Sequence, residues 1–182
     1  MNTKINYKAS IPYFICITTY MFAAIVNIQV VEQVLVFKEM PAGLLDQVYH
    51  YDILGYLIGS LMLLFFSNYF HLQKIIIFNL LIYALSVYNV GFSTFSELFQ
   101  KIYPMIYSLT NSVIITSLLY YIFSDKRITH KYSIAFFLFS IFIAYFLAQI
   151  VLYYIFLGTD SPYLVLIRIL VIVNIIPITI FL

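Results

Sequence analysis

The sequence predicts an all-α membrane protein, a bundle of six transmembrane helices. Of its 182 residues, 64% are hydrophobic and 9% are charged, whereas soluble domains are roughly 45–50% apolar and about 25% charged. The apolar residues form six continuous blocks, each near the roughly 20 residues that a helix needs to cross a bilayer. The few Lys and Arg residues lie at alternate ends of these blocks. Lipid is therefore the expected solvent for most of the chain, with no length left for a soluble domain.

We expect a single transmembrane domain over residues 1–182. Its spans are predicted at about 11–37, 52–70, 75–92, 103–123, 132–157 and 162–182. The first block is much longer than the 7–15-residue core of a signal peptide, so it is expected to stay in the mature protein. Pro162 suits the first turn of the last span, where its missing N–H is not needed.

Charge in the connecting segments predicts the topology. Six cations fall on one side of the membrane: Lys4, Lys8, Lys74, Lys126, Arg127 and Lys131. Two fall on the other, Lys38 and Lys101. Short loops rich in Lys and Arg stay in the cytoplasm, so both termini are expected to be cytoplasmic. A bacterial inner membrane is favoured over an organelle membrane.

Charged residues inside the spans are candidates for a substrate or coupling site, because a charge within the bilayer costs free energy. Arg168 lies about 9 Å into the last span and Glu32 about 8 Å from the outer end of the first, at 1.5 Å per residue. Both fall in the outer half of the bilayer, so Arg168 could pair with Glu32 or with Asp52. The alternatives are a purely structural ion pair or an arginine that snorkels to the surface.

Two spans carry polar stripes at helical spacing. The first has Gln29, Glu32 and Gln33, and the fourth has Ser108, Asn111, Ser112 and Thr116. Such stripes are expected to face other helices or a water-filled cavity. They therefore either line a solute cavity or hold the helices together by hydrogen bonds.

Small residues recur at four-residue spacing on two other spans. The second has Gly55 and Gly59, and the fifth has Ser140, Ala144 and Ala148. Small residues let two helix backbones approach closely. We expect packing inside the bundle, with contact to a partner or second half as the alternative.

The motifs of several chemistries are absent from the sequence. It contains no HExxH, GxSxG, CxxC or glycine-rich phosphate loop. The three histidines, His50, His71 and His130, do not suggest a ligand set, and the one cysteine, Cys16, cannot form an internal disulfide. We therefore expect no enzyme activity, no cofactor and no metal. The net charge of +2 gives no reason to expect a nucleic-acid partner.

The chain resembles the N-terminal half of a major facilitator superfamily transporter. Six spans, cytoplasmic ends, a long outward loop after span 1, a short turn after span 2 and a basic loop after span 4 all match that half. The sequence YDILGYLIGS at residues 51–60 looks like the family's second helix. The resemblance implies two inverted three-helix repeats, in which spans 1 and 4 line a central cavity and spans 2 and 5 meet the other half.

The family's signature between spans 2 and 3, G-x-x-x-D-R/K-x-G-R/K-R/K, is degenerate here. Asn68 could stand for its aspartate and Lys74 keeps one of its cations. The second half is absent, so the alternatives are a truncated gene product, a half that dimerises or a chance resemblance. The end of the chain at Leu182, inside an apolar run, favours truncation.

The sequence therefore supports two functional hypotheses. In the first, a truncated or half-size secondary transporter moves a small solute by alternating access, with a second half or second copy as its partner. In the second, the chain is a non-catalytic structural subunit of a larger membrane complex, and the polar stripes only join helices. Neither the solute nor a coupling ion is indicated by any residue pattern.

Overall fold

A computed structural model of the chain describes residues 7–37, 42–67, 71–92, 97–124, 130–159 and 162–181. Six helices account for nearly all of these residues. They are α1 (Tyr7–Phe37), α2 (Ala42–Phe66), α3 (Leu72–Phe92), α4 (Glu97–Ser124), α5 (His130–Gly158) and α6 (Pro162–Phe181). The described part of the chain is therefore all-α, as the sequence predicts.

Each helix is long enough to cross the hydrocarbon core of a bilayer. The shortest, α6, has 20 residues, and 20 residues at 1.5 Å each span about 30 Å. Five helices contain a long apolar stretch that could cross a membrane: Ile11–Gln29, Tyr49–Phe66, Ile102–Ser124, Ile134–Gly158 and Pro162–Ile180. In α3 the apolar stretch Leu72–Ser86 extends to the last residue of that helix whose side chain the structure describes. These lengths and compositions are those of a multi-pass membrane protein.

The helices extend beyond the apolar blocks of the sequence. The clearest case is α2, which begins at Ala42 although the second span was predicted from about 52. Helix α4 begins at Glu97 instead of near 103, and α3 at Leu72 instead of near 75. Backbone hydrogen bonding continues a helix past the bilayer core, whereas composition marks only the apolar part. The described segment between α2 and α3 includes Ser67, which the second span was predicted to contain.

Helices α1 and α4 are the most buried of the bundle, and α2 and α5 are the most exposed. In their apolar stretches, 50% and 56% of the residues of α1 and α4 are buried, against 11% and 17% in α2 and α5. Helix α2 packs mainly on α4, α5 mainly on α1, and α6 on both α1 and α3, while α3 also packs on α4. The most completely buried large side chains come from four helices: Ile17, Tyr20, Ile76, Tyr83, Ile114, Leu118, Leu166 and Leu170.

The small residues of α2 allow a close contact with α4. A Cβ added at Gly55 would lie 2.3 Å from the Met105 carbonyl oxygen, and one at Gly59 would lie 2.5 Å from that of Leu109. Both oxygens belong to the α4 backbone, so α4 occupies this face of α2. On α5, Ser140, Ala144 and Ala148 are all fully buried, and the main neighbour of α5 is α1.

Candidate functional site

Most of the α4 polar stripe forms hydrogen bonds to neighbouring helices. Ser108, Asn111 and Ser112 are buried, and each has a side-chain partner elsewhere in the bundle. Ser108 donates to the Asp52 carboxylate, and the Ser112 and Ser60 hydroxyls lie 2.9 Å apart. The stripe therefore joins about one turn of α4, from Ser108 to Ser112, to about two turns of α2, from Asp52 to Ser60.

Asn111 connects three helices through its side-chain amide. Its Oδ1 accepts a hydrogen bond from the Tyr20 hydroxyl of α1, and its Nδ2 donates to the Tyr56 hydroxyl of α2 at 3.4 Å. An amide has both an acceptor and two donors, so one residue can serve both phenols. Asn111 is thus the junction of α1, α2 and α4.

This junction lies near the middle of all three helices. Tyr20 is the fourteenth of the 31 residues of α1, Tyr56 the fifteenth of the 25 of α2, and Asn111 the fifteenth of the 28 of α4. Where these helices cross a bilayer, the three polar groups therefore meet near its midplane. Polar groups at that depth need partners within the protein.

A layer of buried tyrosines adjoins the junction. The Tyr83 ring of α3 lies 5.6 Å from that of Tyr20 and 5.7 Å from that of Tyr107, and Tyr103 stacks on Tyr107 at 6.3 Å. Such centroid distances are typical of favourable aromatic pairs. The four rings form one continuous layer that links α1, α3 and α4.

Two of these tyrosines also donate hydrogen bonds to α1. The Tyr103 hydroxyl donates to Asn27 Oδ1 at 2.9 Å, and the Tyr107 hydroxyl donates to the Ala24 carbonyl oxygen at 3.1 Å. Helices α1 and α4 are therefore joined by three side chains of α4, namely Tyr103, Tyr107 and Asn111. These residues repeat every four positions, so they share one face of the helix.

Some buried polar atoms near this layer retain unused hydrogen-bonding capacity. Among the described residues, Asn27 Nδ2, Thr18 Oγ1 and Ser117 Oγ are buried and have no hydrogen-bond partner. An unpaired buried polar group costs about 1–3 kcal/mol. Bound water or a polar solute would satisfy these atoms.

Asp52, Tyr56 and Ser60 form a stripe on α2, of which the sequence predicted only Asp52 as a site residue. These residues recur every four positions. Their spacing was the available signal, since Tyr56 and Ser60 directly follow Gly55 and Gly59 in the sequence. Tyr56 is 38% exposed, Ser60 is exposed and Asp52 is half-buried. This stripe extends from the buried junction to the surface of the bundle.

The other predicted site residues are not part of the junction. Thr116 is exposed, so it does not share the buried position of Asn111, and Gln29 is half-buried. Arg168 is exposed on α6, whereas Asp52 bonds to Ser108 of α4. The side chains of Glu32 and Gln33 lie outside the described residues, and with them the predicted pair of Glu32 and Arg168.

The junction offers phenol and amide groups, and the adjoining stripes of α2 and α4 add hydroxyl groups and the carboxylate of Asp52. These groups can bind a polar solute by hydrogen bonds, and the carboxylate adds a charge. Within the described ranges, no three His, Cys, Asp or Glu residues lie together in a way that could hold a metal ion. Cys16 is a buried free thiol.

Comparisons of the chain with protein-family models, curated proteins and solved structures gave no significant match.

Proposed function

We propose that the protein is a truncated or half-size secondary transporter that moves a small polar solute by alternating access. The observation that carries this proposal is the junction of Tyr20, Tyr56 and Asn111, where three helices bring hydrogen-bonding groups together near mid-span. Secondary transporters bind their solutes near the midplane of the bilayer. A site at this depth can be opened to either side by a modest rotation of the bundle against a second half.

The pattern of helix packing supports a relation to two three-helix repeats. Exchanging α1 with α4, α2 with α5 and α3 with α6 converts the α2–α4 pair into α5–α1, and the α3–α4 pair into α6–α1. All four pairs are among the main contacts of the bundle, and the α3–α6 pair maps onto itself. Inverted repeats of the major facilitator type would give such a pattern.

In this proposal, the residues divide into two roles. The buried residues Tyr20, Ser108, Asn111 and Ser112 fix the relative positions of α1, α2 and α4 through their hydrogen bonds. The more accessible polar groups, Tyr56, Ser60 and Thr116, face the solute, and the half-buried carboxylate of Asp52 is the candidate coupling charge on α2. Glu32, Arg168, Gln29 and Gln33 stay candidates for solute binding or coupling.

The α4 stripe also favours a second candidate function, a structural subunit of a larger membrane complex. Ser108, Asn111 and Ser112 already have partners within the bundle, as residues that only join helices would. In that case the exposed apolar side chains of α2 and α5 would contact other subunits.

Association in the native membrane distinguishes the two functions. Two copies of the full chain carrying different affinity tags are coexpressed and extracted in mild detergent after brief cross-linking. A half-size transporter predicts that the copies recover each other or one further six-helix chain. Recovery of several other membrane proteins in fixed stoichiometry, without self-association, would contradict the transporter and support the subunit.

A further inference from the structure

An apolar groove of about 500 Å³ runs between α2, α3 and α4. Its lining residues are Met62, Leu63, Phe66, Lys74, Ile75, Phe78, Asn79, Ile82, Leu109 and Val113. From Lys74 to Ile82 the groove follows α3 for about 12 Å at 1.5 Å per residue. The volume lies within the range of pockets that bind small molecules, roughly 300–1,000 Å³.

The polarity of the groove is concentrated at one end. Of its two polar lining residues, Asn79 is buried and donates its side-chain amide to the Ile75 carbonyl oxygen of its own helix at 2.8 Å. Lys74, the third residue of α3, is exposed at the end of the groove that adjoins the turn between α2 and α3. The groove therefore has an apolar body and a single positive charge at its end.

The groove opens toward the outside of the bundle. Phe78 is 63% exposed and Met62 is 39% exposed, whereas Val113 is almost fully buried and forms part of the floor. In a bilayer, an apolar groove with this exposure faces the acyl chains. Lys74 lies next to the start of α3, where a lysine reaches the headgroup region.

We propose that this groove binds an anionic phospholipid, with one acyl chain along α3 and its phosphate at Lys74. The charge complementarity of Lys74 with the phosphate selects an anionic headgroup, as basic sites at the ends of transmembrane helices do. The apolar lining contacts the acyl chain of the lipid without selecting the length of that acyl chain. The site is separate from the junction of Tyr20, Tyr56 and Asn111, and it does not depend on transport.

Native mass spectrometry of the full chain tests the proposal. Purified protein is equilibrated with micelles that contain equal amounts of phosphatidylglycerol and phosphatidylcholine with identical acyl chains, and the retained lipids are counted. Wild type is expected to retain phosphatidylglycerol preferentially. Lys74→Gln should lower that preference about fivefold, the effect of one lysine near an anionic headgroup. Lys126→Gln, the same charge change in the segment between α4 and α5, should leave it intact.

A second variant tests the apolar part of the groove. Val113→Phe fills the floor and should reduce the number of retained lipids by one, whichever headgroup is present. Ile82→Phe makes the same test from α3 if Val113→Phe does not fold. Equal retention of the two lipids by wild type, an unchanged preference in Lys74→Gln or full retention in a correctly folded filled-groove variant would overturn the proposal.

Discussion

The Tyr20 hydroxyl of α1 donates a hydrogen bond to the Asn111 side chain of α4, 91 residues later in the sequence. Both residues are buried, and Asn111 also donates to Tyr56 of α2. A polar contact between distant segments near mid-span fixes their relative depth. It explains how three largely apolar helices, with little to specify their register, adopt a defined arrangement.

A double-mutant cycle measures this contact. Asn111→Leu keeps the approximate volume but leaves the Tyr20 hydroxyl without its acceptor, and Tyr20→Phe removes the hydroxyl. We expect a coupling free energy of about 0.6–1.7 kcal/mol, the range for hydrogen bonds between membrane helices. The free energy of unfolding in mixed micelles provides the measurement. Tyr145→Phe, at an exposed position of α5, is the control and should be near neutral. Additive effects of the two changes would show that the contact contributes nothing to stability.

The glycines of α2 predict a second, stronger effect. Gly59→Ala would place a Cβ 2.5 Å from the Leu109 carbonyl oxygen, a backbone atom that cannot move alone. The two helices would have to separate, so we expect a loss of about 1–3 kcal/mol in the free energy of unfolding. Gly158→Ala is the matched control, because a Cβ there meets nothing within 4 Å. An unchanged midpoint of unfolding for Gly59→Ala would contradict the close α2–α4 contact.

The number of spans is five or six according to whether α3 crosses the bilayer. The helix has 21 residues, Leu72–Phe92, or about 32 Å at 1.5 Å per residue, which matches the bilayer core of about 30 Å. We therefore predict six spans with both termini in the cytoplasm. Reporter domains fused at Met1 and Leu182 should report the same side. Reporters on opposite sides would mean that one helix does not cross.

The helices could be predicted from the sequence because their physical basis is local. Continuous apolar runs can satisfy their backbone in lipid only as helices, so the blocks around Cys16, Ala144 and Leu166 needed no knowledge of their neighbours. The ends of the helices could not be predicted from the apolar runs in the same way. Ala42 lies ten positions before the predicted second span, in a segment whose composition does not distinguish helix from loop.

The polar junction was predictable only in part. The α4 stripe was recognised from its spacing, which is why Asn111 and Ser108 were candidates. Tyr20 and Tyr83 were not, because the chain has 18 tyrosines and burial depends on which helices meet. Thr116 is the opposite case, a residue that the spacing placed in the stripe. It follows Ser112 at four-residue spacing, yet it is exposed, because spacing alone does not show which residues of a stripe a neighbouring helix covers.

The central claim, that accessible polar residues within the spans face water, can be tested with introduced cysteines at the exposed Thr116 of α4 and the half-buried Gln29 of α1. In a Cys16→Ala background, Thr116→Cys and Gln29→Cys are compared with Ile172→Cys, an exposed position near the middle of α6. Intact membrane vesicles are treated with a small charged thiol reagent, and a parallel sample is treated after unfolding to count all thiols.

We predict that the cysteines at 116 and 29 react in intact vesicles while the cysteine at 172 does not, because lipid excludes a charged reagent and keeps the thiol protonated. Asn111→Cys should react slowly, since Asn111 is buried. Protection of positions 116 and 29 to the same extent as position 172 would contradict a water-filled site and leave the structural-subunit function as the better account.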